Sequence, residues 1–348
     1  MEMLRITGQE SGQRLDKYLR RRFPGAPFSF LHRMLRRKNI TLNGRRADGS
    51  ELISAGDELR LFLSEETISS MRAGKAQPAG VFSGKESAGA SGNASAAGAS
   101  GERISRPPAF GIIYEDSDIL IADKPAGLLT QKASAGDRSL NDELVRYLLD
   151  TGKAAPESFH YYRPSAVNRL DRNTSGIVLC ALTLRGAQFL SEMIRSRQVR
   201  KYYRMVVLGA VHKPGEITGG LIKDSRTNTV AFADREDAGM ASRTVYRPVR
   251  TGKRYTLIEA ELVTGRTHQL RVHMASAGHP ILGDPKYGDL KENRRLKDRF
   301  GIRHQLLCAA RLVFPETEGE FARLSGREFN AQLPEVFRKV MEAEQGEF

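Results

Sequence analysis

Apolar residues recur at helical spacing twice within the first forty residues, and the pattern then changes to alternation. The helical sets are Leu15, Tyr18, Leu19 and Phe23, followed by Leu31, Met34 and Leu35. Leu59, Leu61 and Leu63 alternate with polar residues, as a half-buried strand does. Asn43-Gly44 is a strong signal for a two-residue hairpin. The pattern therefore predicts a small α/β module over residues 11–64.

The next segment loses this periodicity. Of the 29 residues from 73 to 101, 21 are Ala, Gly or Ser. Such a composition cannot bury enough apolar surface to offset the entropy lost on ordering. We therefore predict a flexible linker over residues 65–106.

Apolar runs and helical patterns return from residue 107 and continue to residue 345. Strand-like patterns occupy residues 112–122, 177–181, 200–209 and 254–263, with helical patterns between some of them. Strands and helices do not alternate as strict βαβ units. We therefore predict an α+β domain over 107–345, with a largely antiparallel β-sheet flanked by helices.

The charge of the chain changes the picture of its partners. Lys and Arg number 55 against 41 Asp and Glu, which gives a formal net charge of +14. This balance predicts a polyanionic partner, most commonly nucleic acid, although a merely basic soluble protein is the alternative. In the first module the basic side chains exceed what a helix dipole requires, so we predict a phosphate-facing patch there. Its candidate residues are Arg33, Arg36, Arg37 and Arg45.

Several classes of protein and site are disfavoured. Cys180 and Cys308 lie far apart inside apolar runs, which indicates buried thiols in a reducing compartment. No apolar run approaches the roughly 20 residues of a membrane span, so we expect a cytoplasmic protein without membrane contact. His268 and His273 lie about 140° apart on a helix, which argues against a shared metal. The sequence contains no glycine-rich phosphate-binding loop, which argues against a nucleotide cofactor.

The strongest candidate for chemistry is one polar loop. It reads Asn168-Arg169-Leu170-Asp171-Arg172-Asn173-Thr174-Ser175-Gly176 and leads directly into an apolar strand. A loop anchored in this way can hold Asp171 rigidly. The alternative is a surface ion pair between Arg169 and Asp171. Ser175 lacks the G-x-S-x-G elbow of a hydrolase nucleophile. A glycosidase would need a second carboxylate near Asp171, for which the sequence offers no clear candidate.

A second polar stretch follows a predicted strand that ends at Gly265. It reads Thr264-Gly265-Arg266-Thr267-His268-Gln269-Leu270-Arg271-Val272-His273. Thr267 can cap a helix that begins there, and Arg266 lies beside its free amides. This arrangement predicts an anion site.

The two stretches, in this order, resemble the motifs of the RluA-type pseudouridine synthase family. Lys201-Tyr202-Tyr203, Lys124-Pro125-Ala126-Gly127 and Gly283-Asp284-Pro285-Lys286-Tyr287-Gly288 agree with the same family. The first module resembles the alpha-L RNA-binding domain first seen in a ribosomal protein, through Arg14-Leu15-Asp16-Lys17-Tyr18-Leu19, Asn43-Gly44-Arg45 and Ala55-Gly56-Asp57. Two departures are Asn168, where many members carry histidine, and Cys308-Ala309, where His-Ala is common.

The resemblance implies a pseudouridine synthase fold and the isomerisation of uridine to pseudouridine in RNA, without metal or organic cofactor. Asp171 matches the catalytic aspartate, and Arg266 matches the arginine that keeps it ionised. Tyr203 matches the tyrosine that stacks on the uracil. Arg169 matches the residue that fills the gap left by the flipped base, a step that costs a few kcal/mol. Lys201, Arg271 and the arginines of the first module would hold phosphates.

The resemblance also implies a choice of RNA. The alpha-L module favours large-subunit ribosomal RNA, with transfer RNA as the alternative. A non-catalytic RNA-binding or ribosome-assembly factor that kept the fold is the competing hypothesis. We expect a monomer, in which Asp171 pairs with the distant Arg266 rather than with either adjacent arginine.

Overall fold

A computed structural model describes residues 1–8, 10–72, 107–134, 136–160, 162–224, 226–227 and 229–344. The chain divides into two compact units. The first is Met1–Arg106 with Leu148–Arg163, and the second is Pro107–Tyr147 with Pro164–Phe348. The alanine-, glycine- and serine-rich segment lies outside the described residues, so its flexibility stays a prediction. Within the described ranges, no helix has both the length and the apolar character that crossing a bilayer requires.

The first unit contains a small antiparallel sheet and three helices in its described N-terminal part. In chain order the elements are β1 (Glu2–Arg5), α1 (Leu15–Arg22), α2 (Phe28–Arg36), β2 (Ile40–Leu42), β3 (Arg45–Arg46), β4 (Glu58–Leu61) and α3 (Glu65–Arg72). The strand order is β1-β4-β2-β3. Asn43 and Gly44 join β2 to β3 with φ angles of 51° and 71°. Two positive φ angles are what a two-residue hairpin of this twist needs, as the sequence predicts.

The core of this unit includes the apolar positions that the sequence pattern selects, such as Leu15, Leu19 and Leu35, all fully buried. Helix α3 lies inside the range predicted as linker. It packs Ile68 and Met71 into the same core. Two apolar residues three apart are too weak a pattern to reveal a helix. Strand β1 likewise precedes the predicted start of the module.

The second unit is built around one large sheet. Its strands are β5 (Gly111–Glu115), β6 (Ile119–Lys124), β7 (Ser165–Ala166), β8 (Ser175–Ala181), β9 (Arg200–Leu208), β10 (Gly215–Asp224), β11 (Thr229–Ala233), β12 (Met240–Thr251), β13 (Tyr255–Leu262), β14 (Leu307–Val313) and β15 (Glu328–Asn330). The helices are α4 (Leu140–Asp150), α5 (Leu184–Arg195), α6 (Gln269–Ser276), α7 (Leu290–Phe300) and α8 (Glu335–Ala343).

The order of the sheet is β11-β10-β12-β13-β9-β14-β8-β6-β5, with β15 paired to β14 and β7 paired to β8. Among the strands that the structure describes, only β8 and β14 pair in parallel. The fold is therefore α+β with a mixed, largely antiparallel sheet, and the predicted fold class is confirmed.

Strand β8 positions the candidate loop. All seven of its residues are buried, and it lies between β6 and β14 in the sheet. Gly176, its second residue, has a φ of 103° and lies against the backbone of Ala309 in β14. A side chain there would collide with that backbone, so glycine is required where the loop enters the sheet.

Candidate active site

The second unit contains a cavity of about 490 Å³ that is lined in part by the loop before β8. Six residues predicted from the sequence line it together. They are Arg169, Asp171, Lys201, Tyr203, Arg266 and Arg271. They come from the loop before β8, from β9, and from α6 with the loop that precedes it. The other predicted site residues lie in the first unit and are exposed there: Arg33, Arg36, Arg37 and Arg45.

The loop that carries Asp171 is fixed by hydrogen bonds to β8 and to Thr130. Asn168 Oδ1 accepts a hydrogen bond from the backbone N–H of Leu179 at 2.7 Å. The hydroxyl of Thr130 donates to the carbonyl of Leu170 and accepts from its N–H, at 3.0 and 3.1 Å. The residue that departs from the family pattern, Asn168, thus anchors the loop to β8. This contact explains its presence without a chemical role.

Lys124 supports the same loop, a role that was not predicted from the sequence. Its side chain is fully buried. Nζ donates to the carbonyls of Pro125, Leu128 and Arg172 at 3.0, 2.8 and 3.1 Å. Burial lowers the pKa of Lys124 to about 8, while the charge of Asp171 opposes that shift. A lysine at the end of a buried strand is the signal that could have revealed it.

Asp171 forms an ion pair with Arg271, with Nη1 3.0 Å from Oδ2. Arg271 also binds Asp284, through Nε at 2.7 Å and Nη2 at 2.8 Å. Asp284 is fully buried, whereas the side chain of Asp171 is 32% exposed. Burial opposes ionisation of Asp284, but the hydrogen bonds from Arg271 hold its pKa below the usual value. One guanidinium is therefore shared between a structural carboxylate and a carboxylate that faces the cavity.

This pairing corrects two predictions. Arg266 does not pair with Asp171; its Nε donates to the carbonyl of Ala241 at 3.2 Å. Arg271 is not free to bind phosphate, because its guanidinium is buried and occupied by two carboxylates. The surface ion pair between Arg169 and Asp171 is also wrong, since the partner of Asp171 is the buried arginine.

The reason lies in where α6 begins. The helix starts at Gln269, and His268, not Thr267, occupies the N-cap position with a left-handed φ of 55°. This late start places Arg271 in the first turn of the helix and leaves Arg266 in the preceding loop. The side chain of Gln269 closes that loop by accepting from the N–H of Arg266 at 3.1 Å. The predicted cap at Thr267 is therefore wrong.

Tyr203 lies on β9 with its side chain in the cavity lining. It is 6% exposed. Burial raises the pKa of its hydroxyl, and the negative charge of Asp171 raises it further. The phenol is therefore neutral at physiological pH and offers an aromatic face and one O–H group.

Two further residues of the site, His268 and Tyr287, were not predicted from the sequence as functional residues. His268 Nε2 lies 3.7 Å from Asp171 Oδ2, and Nδ1 lies 2.9 Å from the hydroxyl of Tyr287. The guanidinium of Arg271 lies over the ring of Tyr287, 5.1 Å from its centroid. His268 and Tyr287 belong to motifs that are visible in the sequence, but which residues of one motif contact those of the other is determined by the fold.

The cavity also has a concentration of cations. Arg169, Arg195 and Arg197 line it and are exposed, and Lys201 is partly buried among them. Burial and the neighbouring Arg197 lower the pKa of Lys201. Such a surface suits the phosphates of a polyanion. Among the described residues, no group of three or more histidine, cysteine, aspartate or glutamate side chains is placed to hold a metal ion.

Comparison with known proteins gives concordant results. The model of the family described as RNA pseudouridylate synthase matches residues 118–276. Ribosomal large subunit pseudouridine synthase C of Escherichia coli strain K12 is 30% identical over 335 residues, covering 93% of this chain and 92% of that protein. The protein of the same name from Haemophilus influenzae is 29% identical, with coverages of 98% and 94%.

A solved structure agrees at the level of the fold. Human RNA Pseudouridylate Synthase Domain Containing 4 aligns with a TM-score of 0.53 at 23% identity, covering 68% of this chain and 93% of that one. The range that the family model matches contains Asp171, Tyr203, His268 and Arg271.

Proposed function

The chain belongs to the RNA pseudouridylate synthase family, and on that premise we propose that it isomerises uridines of large-subunit ribosomal RNA, with Asp171 as the catalytic residue. The enzyme is an isomerase that converts uridine to pseudouridine in RNA. One observation carries the assignment of the residue. The carboxylate of Asp171 is held by a buried arginine and faces a cavity of about 490 Å³.

The reaction moves the uracil on its ribose. The bond between N1 and C1′ breaks, the base turns, and a bond forms between C5 and C1′. The proton on C5 then leaves and N1 gains one, so that the product is an isomer of the substrate. Asp171 serves either as a nucleophile at the sugar or as a base on a sugar proton. Both routes use the carboxylate, which Arg271 holds in place through an ion pair of 3.0 Å.

Tyr203 and Arg169 act on the nucleotide in this proposal. A base inside a helix is out of reach, so the target uridine must leave the stack, at a cost of a few kcal/mol. The neutral ring of Tyr203 lines the cavity and stacks on the extruded uracil. The exposed guanidinium of Arg169 stacks where the base has left.

The basic residues hold the RNA backbone. Lys201 and Arg197 bind phosphates beside the cavity, and Arg266 does so at the end of β13. The exposed arginines of the first unit bind phosphates farther along the RNA. We propose that the enzyme works as a cytoplasmic monomer without metal or organic cofactor.

Ribosomal RNA is the proposed target because two relatives named for the large ribosomal subunit match more than nine-tenths of this chain, its first unit included. Pure RNA binding has no need of a carboxylate that faces RNA phosphates. The arrangement of Asp171, Arg271 and Asp284 therefore argues against the hypothesis of a non-catalytic assembly factor.

The test uses large-subunit ribosomal RNA labelled with tritium at C5 of uridine. The wild-type enzyme should release tritium, and Asp171→Asn should release none while it binds the RNA as tightly as wild type. Release at the wild-type rate from Asp171→Asn would contradict the assignment of Asp171. Pseudouridine mapping of ribosomal and transfer RNA from a strain that lacks the gene then identifies the target RNA.

A further inference from the structure

His268 has an unusual backbone conformation next to the reactive carboxylate. Its φ and ψ are 55° and 14°, in the left-handed region that non-glycine residues adopt at a cost. Strain of this kind persists where the surroundings fix it, often at functional sites. The side chain makes no capping hydrogen bond to α6. Instead it is 8% exposed and lines the cavity.

The hydrogen bonds around Tyr287 favour one tautomer of His268. The hydroxyl oxygen of Tyr287 accepts a hydrogen bond from the backbone N–H of Val230 at 2.8 Å. Its single proton is then free to be donated to Nδ1 of His268, 2.9 Å away. With Nδ1 as acceptor, the neutral imidazole carries its proton on Nε2. That N–H is the end of the ring that faces Asp171.

Burial of the His268 ring favours its neutral form. Burial lowers the pKa of His268, and the nearby Arg271 and Lys286 lower it further, whereas Asp171 and Asp284 act in the opposite direction. At pH 7 the group that faces Asp171 is therefore an uncharged N–H donor.

The distance from Nε2 to Asp171 Oδ2 is 3.7 Å, longer than a hydrogen bond. Arg271 already donates to the same oxygen at 3.0 Å. Two donors thus converge on Oδ2, one bonded and one within half an ångström or so of bonding. Contacts of this kind often tighten only when substrate occupies an active site.

We propose that His268 is a positioning residue whose Nε2–H, directed by Tyr287, closes onto Oδ2 of Asp171 when the nucleotide binds and fixes the plane of the carboxylate. The inference rests on the proposed function, because it concerns the orientation of Asp171 for that reaction. Two donors on Oδ2 hold the carboxylate so that Oδ1 is directed at the sugar. A neutral donor does so without adding a second positive charge to the ion pair with Arg271.

Two substitutions at His268 separate the donor from the backbone. Asparagine tolerates the left-handed conformation but its amide reaches only as far as Nδ1. Glutamine places an amide N–H close to the position of Nε2. His268→Asn should lower the single-turnover rate of tritium release about tenfold, with the Kd for RNA changed less than about twofold. His268→Gln should recover most of the rate.

Tyr287→Phe tests the origin of the tautomer. It should lower the rate about as much as His268→Asn, and the double variant should lose no more than either single variant, because the two residues act as one unit. Since Tyr287→Phe also removes the acceptor for the N–H of Val230, only the comparison with the double variant is informative. Thermal unfolding of each variant identifies any that fail to fold.

Three results would overturn the inference: a wild-type rate for His268→Asn, equal rates for the asparagine and glutamine variants, or additive losses in the double variant. The assay separates this failure from failure of the proposed function. If the wild-type enzyme itself released no tritium from ribosomal RNA, the proposed function would be wrong before any variant was compared.

Discussion

Arg271 donates a hydrogen bond from Nη1 to Oδ2 of Asp171 at 3.0 Å, although the two residues lie 100 positions apart in the sequence. The same guanidinium holds both oxygens of Asp284. Two carboxylates thus share one cation, which leaves a net negative charge on the group. Asp284 fixes the position of Arg271, and Arg271 orients Asp171 while that carboxylate remains open to the cavity.

Arg271→Lys should remove the orientation of Asp171. A lysine cannot make the three directed hydrogen bonds of the guanidinium, and buried Asp284 would lose its paired donors. We expect the rate of tritium release to fall at least about 100-fold and the free energy of unfolding to fall by about 2–4 kcal/mol. Single-turnover kinetics and urea unfolding measure the two effects.

Arg266→Lys is the matched control, since Arg266 lines the same cavity without touching Asp171. Its substitution should weaken RNA binding and leave the stability within about 0.5 kcal/mol. If Arg266→Lys lost its activity and Arg271→Lys remained active, the results would favour the pairing of Asp171 with Arg266 that the sequence predicted.

The sequence revealed which motifs form the site but not which side chains meet. Asp171 and Tyr203 follow from motif resemblance and line one cavity, as do both arginines of the stretch from 264 to 273. The choice between Arg266 and Arg271 depends on where α6 begins, and Thr267 is a better cap by composition than His268. The left-handed backbone of His268 sets the start of α6 at Gln269, and no composition rule predicts that conformation.

The fold, like the site, has parts that the sequence predicts and contacts that it does not. Alternating and buried apolar runs predict most of the strands, because side-chain periodicity follows from local geometry, and the lack of strict βαβ alternation predicts the antiparallel character of the sheet. The parallel pairing of β8 with β14 joins segments more than a hundred residues apart. The side-chain pattern of neither strand reveals this partner, which the register of Cys308 against Ser175 and Ala309 against Gly176 shows. Lys124 is similar: two of its carbonyl partners lie in the turn that follows it, but the third, Arg172, lies 48 residues away.

Lys124→Met should displace the loop of Asp171. The substitution keeps the length of the side chain but leaves three carbonyls without their donor, so the free energy of unfolding should fall by about 2–4 kcal/mol. A small shift of the carboxylate should lower the single-turnover rate by roughly 10- to 100-fold. RNA affinity should change little, because the lysine is fully buried.

The control is Lys132→Met, the same substitution at a lysine that is 44% exposed and pairs with Asp142 at 3.1 Å. An exposed pair of this kind contributes about 0–1 kcal/mol, so both stability and rate should stay near wild type. Equal effects of the two substitutions would show that Lys124 has no special role in the loop.

His273 should make the stability depend on pH. It is fully buried, with Nε2 2.9 Å from the hydroxyl of Ser242 and Nδ1 3.0 Å from that of Thr244. Ser242 donates to the carbonyl of Gly219, so it accepts from Nε2, and Thr244 is free to donate to Nδ1. The neutral ring is therefore fully satisfied. Burial lowers its pKa from 6.5 to about 4.

The unfolded chain takes up this proton first as the pH falls, so the stabilising contribution is complete above pH 6.5 and is lost between pH 6.5 and about 4. The free energy of unfolding should fall by about 2 kcal/mol from pH 7.5 to pH 5 through this group. Urea unfolding at the two pH values measures it. His273→Asn should remove that part of the dependence, and an unchanged difference in the variant would assign it to other groups.

The basic helix of the first unit should control the salt dependence of RNA binding. Arg33 and Arg36 lie three residues apart in the last turn of α2, Arg37 follows as its C-cap residue, and all three are exposed. Each phosphate that an arginine neutralises contributes about 0.7–0.9 to the slope of log K against log salt concentration. Arg36→Gln with Arg37→Gln should therefore reduce the slope by up to about 1.4–1.8 and weaken binding at low salt.

A matched pair separates local contacts from net charge. Arg338→Gln with Lys339→Gln removes the same two charges from the exposed side of α8, where both residues form ion pairs with Glu335. If the first unit contacts phosphates, only the substitutions in α2 change the slope, because counterion release needs a bound phosphate. Equal, small changes for both pairs would mean that the basic helix contributes only general attraction. In that case the RNA contacts would belong to the cations of the cavity, Lys201 and Arg197, and substituting those two should then produce the missing change in slope.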